Sequence, residues 1–209
     1  MITSHFPVMV IMDEMVRAMG FIDFENINIP ARQQVGVSIR LNFNKLAELM
    51  LQGYTRSGCS VYLPDEMRHL STDISKQGLK PVLVSPGKSV DGRLILDLLV
   101  NAQNNKFDVA VIASGDRDYI DVIQAVHQLN KKVKIVSFQS NLGPGLRAVV
   151  RDEDITILES HINAFVLKPQ EYKCSNCGKN FTLPFKLYPN QLPPKCSDCR
   201  RGAVSVKRT

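Results

Sequence analysis

The hydrophobic positions fall into alternating short apolar runs and helix-period stretches. Val16–Phe24 (VRAMGFIDF) reads as a buried strand ending in an acidic residue. In Leu41–Tyr54 the apolar positions 43, 46, 49, 50 and 54 keep a helical period. Gly58–Leu63 predicts a short strand, and Pro64-Asp65-Glu66 opens a helix ending near Gly78. Pro81–Ser85 reads as a strand, and 90–104 as a helix with Leu94, Ile95, Leu98 and Leu99 on one side. Phe107–Ser114 (FDVAVIAS) is almost continuously apolar, as expected of a strand covered on both faces. Tyr119–Leu129 predicts an amphipathic helix, Val133–Phe138 a strand, Leu142–Val150 a short helix and Ile155–Leu158 a last strand. Strands alternating with helices imply an α/β domain with a mostly parallel sheet.

A domain over 1–167 and a small module over 168–209 are expected, joined by a linker at Lys168-Pro169-Gln170-Glu171. Hydrophobic residues at 44% and charged residues at 22% are ordinary for a folded chain, and no apolar run is long enough for a transmembrane helix. The apolar patch at Phe6–Met12 has no basic segment before it and is followed by Asp13 and Glu14. It reads as a lead-in rather than a signal peptide, so a cytoplasmic location is expected. Phe6, Val8, Val10 and Ile11 are expected to pack either on their own domain or on a second copy in a homo-oligomer.

Charge changes the picture. Residues 168–209 carry nine Lys and Arg against two Asp and Glu, whereas the rest of the chain is near neutral. A basic segment beside a neutral domain suits contact with a polyanion, although a merely solvated tail has the same composition.

Four of the five cysteines form two CxxC pairs, Cys174/Cys177 and Cys196/Cys199, separated by 18 residues. This spacing predicts a zinc ribbon with a closed four-sulfur shell, hence a structural metal; an iron–sulfur or redox role is the rival. Gly178 suits the positive-φ turn of such a knuckle. Phe181, Phe185 and Tyr188 alternate with Lys179, Lys186, Lys195, Arg200 and Arg201, a mixture that suits nucleic acid, ribonucleoprotein or protein contact. For Phe181 a place in the ribbon's small core is the simpler expectation. Cys59 reads as a buried small hydrophobe.

Ligands of open parallel sheets bind beyond the carboxyl ends of the strands. There the sequence places Asp23, Glu25 and Asn26 after the first strand, and Ser114, Gly115, Asp116 and Asp118 after FDVAVIAS. Carboxylates converging from two segments call for a hard cation, Mg²⁺ or Mn²⁺. Singly, Asp116 reads equally as a helix cap and Asn26 as a turn residue. Asp91 and Asp97, six residues apart on one helix, do not share a face closely. One is expected to reach the metal while the other caps or pairs with Lys88 or Arg93, and the spacing leaves open which.

Asp23-Phe-Glu-Asn26 after an apolar strand, Lys88-Ser-Val-Asp91 leading to Asp97, and Ser114-Gly-Asp-Arg-Asp-Tyr119 together resemble the NYN domain, of the LabA type among PIN-like nucleases, across roughly 16–160. The resemblance implies a Rossmann-like, PIN-type fold and metal-dependent cleavage of phosphodiesters, usually in RNA. It implies Asp23, Asp97 and Asp116 as Mg or Mn ligands, Asp91 and Asp118 as further catalytic acids, and Asn26 and Ser114 as supports for the metal shell or the substrate phosphate. The leading expectation is a metal-dependent ribonuclease whose ribbon helps to hold RNA. The alternative is a non-catalytic RNA- or protein-binding regulator on the same fold. A nucleotide-handling enzyme lacks support, because neither a P-loop nor GxGxxG follows a strand.

Overall fold

The computed structural model describes residues 15–36, 39–167, 169–183 and 194–200. The apolar residues at 6–12 and the side chains of Phe185, Lys186, Tyr188 and Arg201 lie outside the described residues.

In chain order the elements are β1 (Arg17–Asp23), α1 (Phe24–Val35), β2 (Arg40–Leu41), α2 (Phe43–Met50), β3 (Thr55–Pro64), α3 (Ser71–Lys76), β4 (Lys80–Val84) and α4 (Val90–Gln103). There follow β5 (Val109–Ala113), α5 (Ile120–Gln128), β6 (Lys132–Ser137), α6 (Leu146–Val149), β7 (Ile155–Ile157), α7 (Ile162–Phe165) and β8 (Val166–Leu167). The cysteine module contains β9 (Gln170–Lys173), β10 (Asn180–Leu183) and α8 (Ser197–Arg200). No helix among the described residues is long and apolar enough to cross a membrane.

Six parallel strands form the central sheet in the order β4-β3-β1-β5-β6-β7. One face packs Ile27 and Ala31 of α1 with Leu46 and Ala47 of α2 and Phe165 of α7. The other packs Leu94, Leu98 and Ala102 of α4 with Val122, Ile123 and Val126 of α5. Every residue of β5 is buried, as its unbroken apolar run requires. This is the expected α/β architecture.

Three local features differ from the expectations. Helix α1 starts directly after β1, although Ile27, Asn28, Ile29 and Pro30 are weak helix formers. Tertiary burial of Phe24, Ile27, Pro30 and Ala31 outweighs that propensity. The segment after Pro64 begins as a 3-10 turn (Asp65–Leu70) before α3 takes over. Gln170 and Glu171, expected in a linker, already belong to β9, which pairs antiparallel with β10.

Strand β1 lies between β3 and β5, where the order of connection reverses direction across the sheet. Ligand sites of open α/β sheets occupy such a reversal, at the carboxyl ends of the strands. Asp23 ends β1, and Ser114 follows β5.

Candidate active site

Asp23 is buried at 2% exposure, unusual for a carboxylate, and its surroundings are built around it. Its Oδ1 accepts from the backbone N–H groups of Glu25 and Asn26 at 3.1 and 3.2 Å, capping α1. Its Oδ2 accepts from Asn26 Nδ2 at 2.8 Å and faces the Tyr119 hydroxyl at 3.2 Å. The same hydroxyl lies 2.7 Å from Asp91 Oδ1, in the first turn of α4. Burial pushes the Asp23 carboxyl up to about 6, against the lowering effect of the Asn26 bonds, and the charge of Asp91 adds to the rise. Burial first, then the charges of Asp23 and Asp91, drives the Tyr119 phenol far above its ordinary range. Tyr119 therefore remains a proton donor. It holds one proton between two carboxylates.

Asp116 opens the turn beyond β5. Its Oδ1 accepts from the Asp118 N–H at 3.0 Å, while its own N–H donates to Ser114 Oγ at 3.2 Å. Gly115 between them has no room for a side chain: an added Cβ would overlap Ser137 Oγ and the Asn141 carbonyl. The backbone thus approaches closely here, and its hydrogen bond from the Gly143 N–H to the Gly115 carbonyl (2.9 Å) fixes the loop. Ser114 is fully buried, Asp116 half-buried and Asp118 exposed.

Asp97 sits deeper along α4. Its Oδ2 faces the buried Tyr62 hydroxyl at 3.2 Å, and its Oδ1 accepts from Arg93 Nε at 3.0 Å. Asp97 is thus the acid that pairs with Arg93, and Asp91 the one that meets Asp23. Tyr119 was legible only as an amphipathic-helix position and an aromatic of the motif; its bridging role depends on the sheet. Among the described residues, only four cysteines form a group of three or more metal-ligating side chains with their ligand atoms all within 4.8 Å.

Those are Cys174, Cys177, Cys196 and Cys199. Cys177 Sγ and Cys196 Sγ are 3.7 Å apart. Sulfurs about 2.3 Å from a tetrahedral zinc stand about 3.8 Å from one another, so the spacing fits that ion. The Cys196 N–H donates to Cys174 Sγ at 3.3 Å; with the amides of Cys177 and Asn176 it lowers the Cys174 thiol to about 6. Gly178 takes φ +73°, the positive value expected for the knuckle. Tyr172 and Phe181 pack with ring centroids 6.4 Å apart. Elsewhere, burial pushes the Cys59 thiol up to about 12, in keeping with a packing role.

The NYN domain family model matches residues 17–154. The chain belongs to the NYN domain family. This span takes in β1 to β6 and ends just before β7, and it contains all five aspartates considered above. Membership of this nuclease family supports a nucleic-acid-related function. A crystal structure of a protein of unknown function from Vibrio parahaemolyticus RIMD 2210633 superposes with a TM-score of 0.60 at 17% identity, covering 74% of this chain and 98% of that one. At that identity the likeness concerns the NYN fold alone. No curated protein matches the chain.

Proposed function

We propose that this NYN protein is a metal-dependent ribonuclease that holds Mg²⁺ or Mn²⁺ between Asp23, Asp91 and Asp116, at the carboxyl edge of β1 and β5. The observation carrying this reading is the pair Asp23 and Asp91, which share the single proton of Tyr119. Two carboxylates brought together through one hydroxyl concentrate negative charge that a hard cation complements. When bound, such an ion supplies a more acidic water and neutralises charge on the scissile phosphate. Asn26 and the α1 amides hold Asp23 in one orientation. Ser114 and the close approach at Gly115 fix the turn that carries Asp116 just beyond β5. Asp118, exposed beside it, is open to an incoming substrate.

The cysteine ribbon holds structural zinc, and it and the basic segment from 168 onward hold RNA or a ribonucleoprotein. The near-neutral domain over 1–167 would then supply the chemistry and the ribbon much of the electrostatic grip. A reducing cytoplasm keeps such thiols available to the metal.

The second reading, a non-catalytic RNA- or protein-binding regulator, is favoured by one observation. Asp23 and Asp116 already cap turns, and Asp97 is already paired. The deciding experiment measures cleavage of single-stranded and structured RNA with Mn²⁺ or Mg²⁺, wild type against Asp116→Asn. Metal-dependent cleavage lost in the variant is expected. Tight RNA binding without cleavage, in a preparation verified as metal-loaded, would replace the nuclease reading with the regulator.

A further inference from the structure

Helix α4 presents two different surfaces beside the sheet edge. Asp91 points toward α5 and meets Tyr119. Arg93 and Leu96 turn the other way and line a cavity of about 460 Å³ with Ser85, Lys88, Ser89 and Gly92 at the end of β4. That volume is in the range of sites that admit a small organic ligand.

The backbone at Lys88 and the side chain of Arg93 are held in place. Lys88 follows the turn Ser85-Pro86-Gly87, closed by the Lys88 N–H to the Ser85 carbonyl at 3.1 Å, with Gly87 at φ +77°. Pro followed by a positive-φ Gly is the sequence of a type II turn. Ser89, immediately after, caps α4 through the Gly92 N–H at 3.0 Å. Arg93 is held through Asp97, which is itself held by the buried Tyr62 hydroxyl of β3. Tyr62 pairs in register with Asp23, so this chain of contacts is anchored one strand from the acidic centre.

We propose that Asp97 is a positioning residue for Arg93 and that Lys88 and Arg93 form a subsite for one nucleotide of single-stranded RNA, flanking the acidic centre. The assignment deepens the ribonuclease reading and rests on it. Asp97 is thereby separated from the metal-holding acids: its Oδ1 already holds a cation, Arg93, that a metal in its place would have to displace, whereas Asp23 accepts from neutral groups. The two cations match a backbone phosphate, and Leu96, 56% exposed, offers an apolar surface to the unstacked base or sugar. A duplex buries its bases and presents no such group to the cavity.

The test uses the full-length, zinc-loaded protein and a fluorescein-labelled 12-nucleotide oligouridine, with binding read by anisotropy in chelator-free buffer without Mg²⁺ or Mn²⁺, so that no cleavage intervenes and the ribbon keeps its ion. Arg93→Ala and Lys88→Ala are each expected to weaken binding about ten-fold, with the log–log salt slope reduced by about 1. Arg93→Lys keeps part of the affinity. Asp97→Asn weakens RNA binding several-fold while leaving Mn²⁺ affinity, read by electron paramagnetic resonance of the free ion, unchanged. Tyr62→Phe, which removes only the hydroxyl, repeats the Asp97 pattern more weakly and covers the case of a poorly folded Asp97 variant. Unchanged RNA affinity in Arg93→Ala, or Mn²⁺ binding lost in Asp97→Asn with RNA affinity kept, would overturn the proposal, as would a wild type with no affinity for the oligonucleotide. The expected binding pattern without any Mn²⁺-dependent cleavage would uphold the subsite and remove the nuclease reading instead.

Discussion

Asp23 and Asp91, 68 positions apart in sequence, are joined through one hydroxyl, that of Tyr119. The two acids come from different layers, one from the sheet and one from a helix above it. The hydroxyl both orients Asp91 and separates two like charges. Removing it alone, in Tyr119→Phe, leaves the ring and its packing. Unfolding free energy in EDTA is expected to fall by about 1–3 kcal/mol, and saturating Mn²⁺ to restore part of it. Urea unfolding with and without Mn²⁺ measures both. A loss that Mn²⁺ leaves untouched would confine the residue to packing.

The raised Asp23 carboxyl has a signed consequence for stability. At about 6 in the folded protein, against an ordinary value near 3.8, the native state holds this proton longer than the unfolded chain does. Its contribution to stability therefore declines as pH rises from about 4 to about 6, and stays low above. The size is at most about 3 kcal/mol, from two units at 1.36 kcal/mol each. Asn at this position still caps α1 and carries no charge. Asp23→Asn is expected to exceed wild type in stability at pH 8 in EDTA and to match it near pH 4. Urea midpoints at the two pH values decide this; a variant weaker than wild type at pH 8 contradicts it.

Gly115 fixes where Asp116 stands. Gly115→Ala would drive a Cβ into Ser137 Oγ and the Asn141 carbonyl. Backbone cannot withdraw as a flexible side chain can, so a loss of about 2–3 kcal/mol is expected. Weaker Mn²⁺ binding should accompany it, because Asp116 moves with the loop. Calorimetric unfolding and a Mn²⁺ titration check the two effects. Full retention of both would mean that the loop shifts freely.

The ribbon has too little core to fold without its ion. Elemental analysis is expected to find about one zinc per chain. Chelation should raise hydrogen exchange across 170–200 while β1, β3 and β5 stay protected. Cys177→Ser should act similarly without a chelator. Protection of 170–200 that survives chelation would show a ribbon held by packing alone.

Much of this was legible along the chain because it depends on local repetition. The unbroken apolar run of β5, the helical period of α4 and the paired cysteines each need only neighbours in sequence to be recognised. Helix α1 was not legible: Ile27, Ile29 and Pro30 argue against a helix, and only burial against β3 and α2 overrules them. Its cap, Asp23, could be read from sequence as a strand-end acid but not as a cap.

The sequence by itself determined an alternating α/β order, an edge rich in aspartates and a four-sulfur site. Tertiary structure alone decided which acids meet. Asp91 and Asp97 ride one helix with no local signal to separate them. Placing α4 across β1 and β3 turns Asp91 toward Tyr119 and Asp23, and seats Asp97 between Tyr62 and Arg93. Helical spacing fixes only the angle between two side chains; packing chooses the neighbour each one faces.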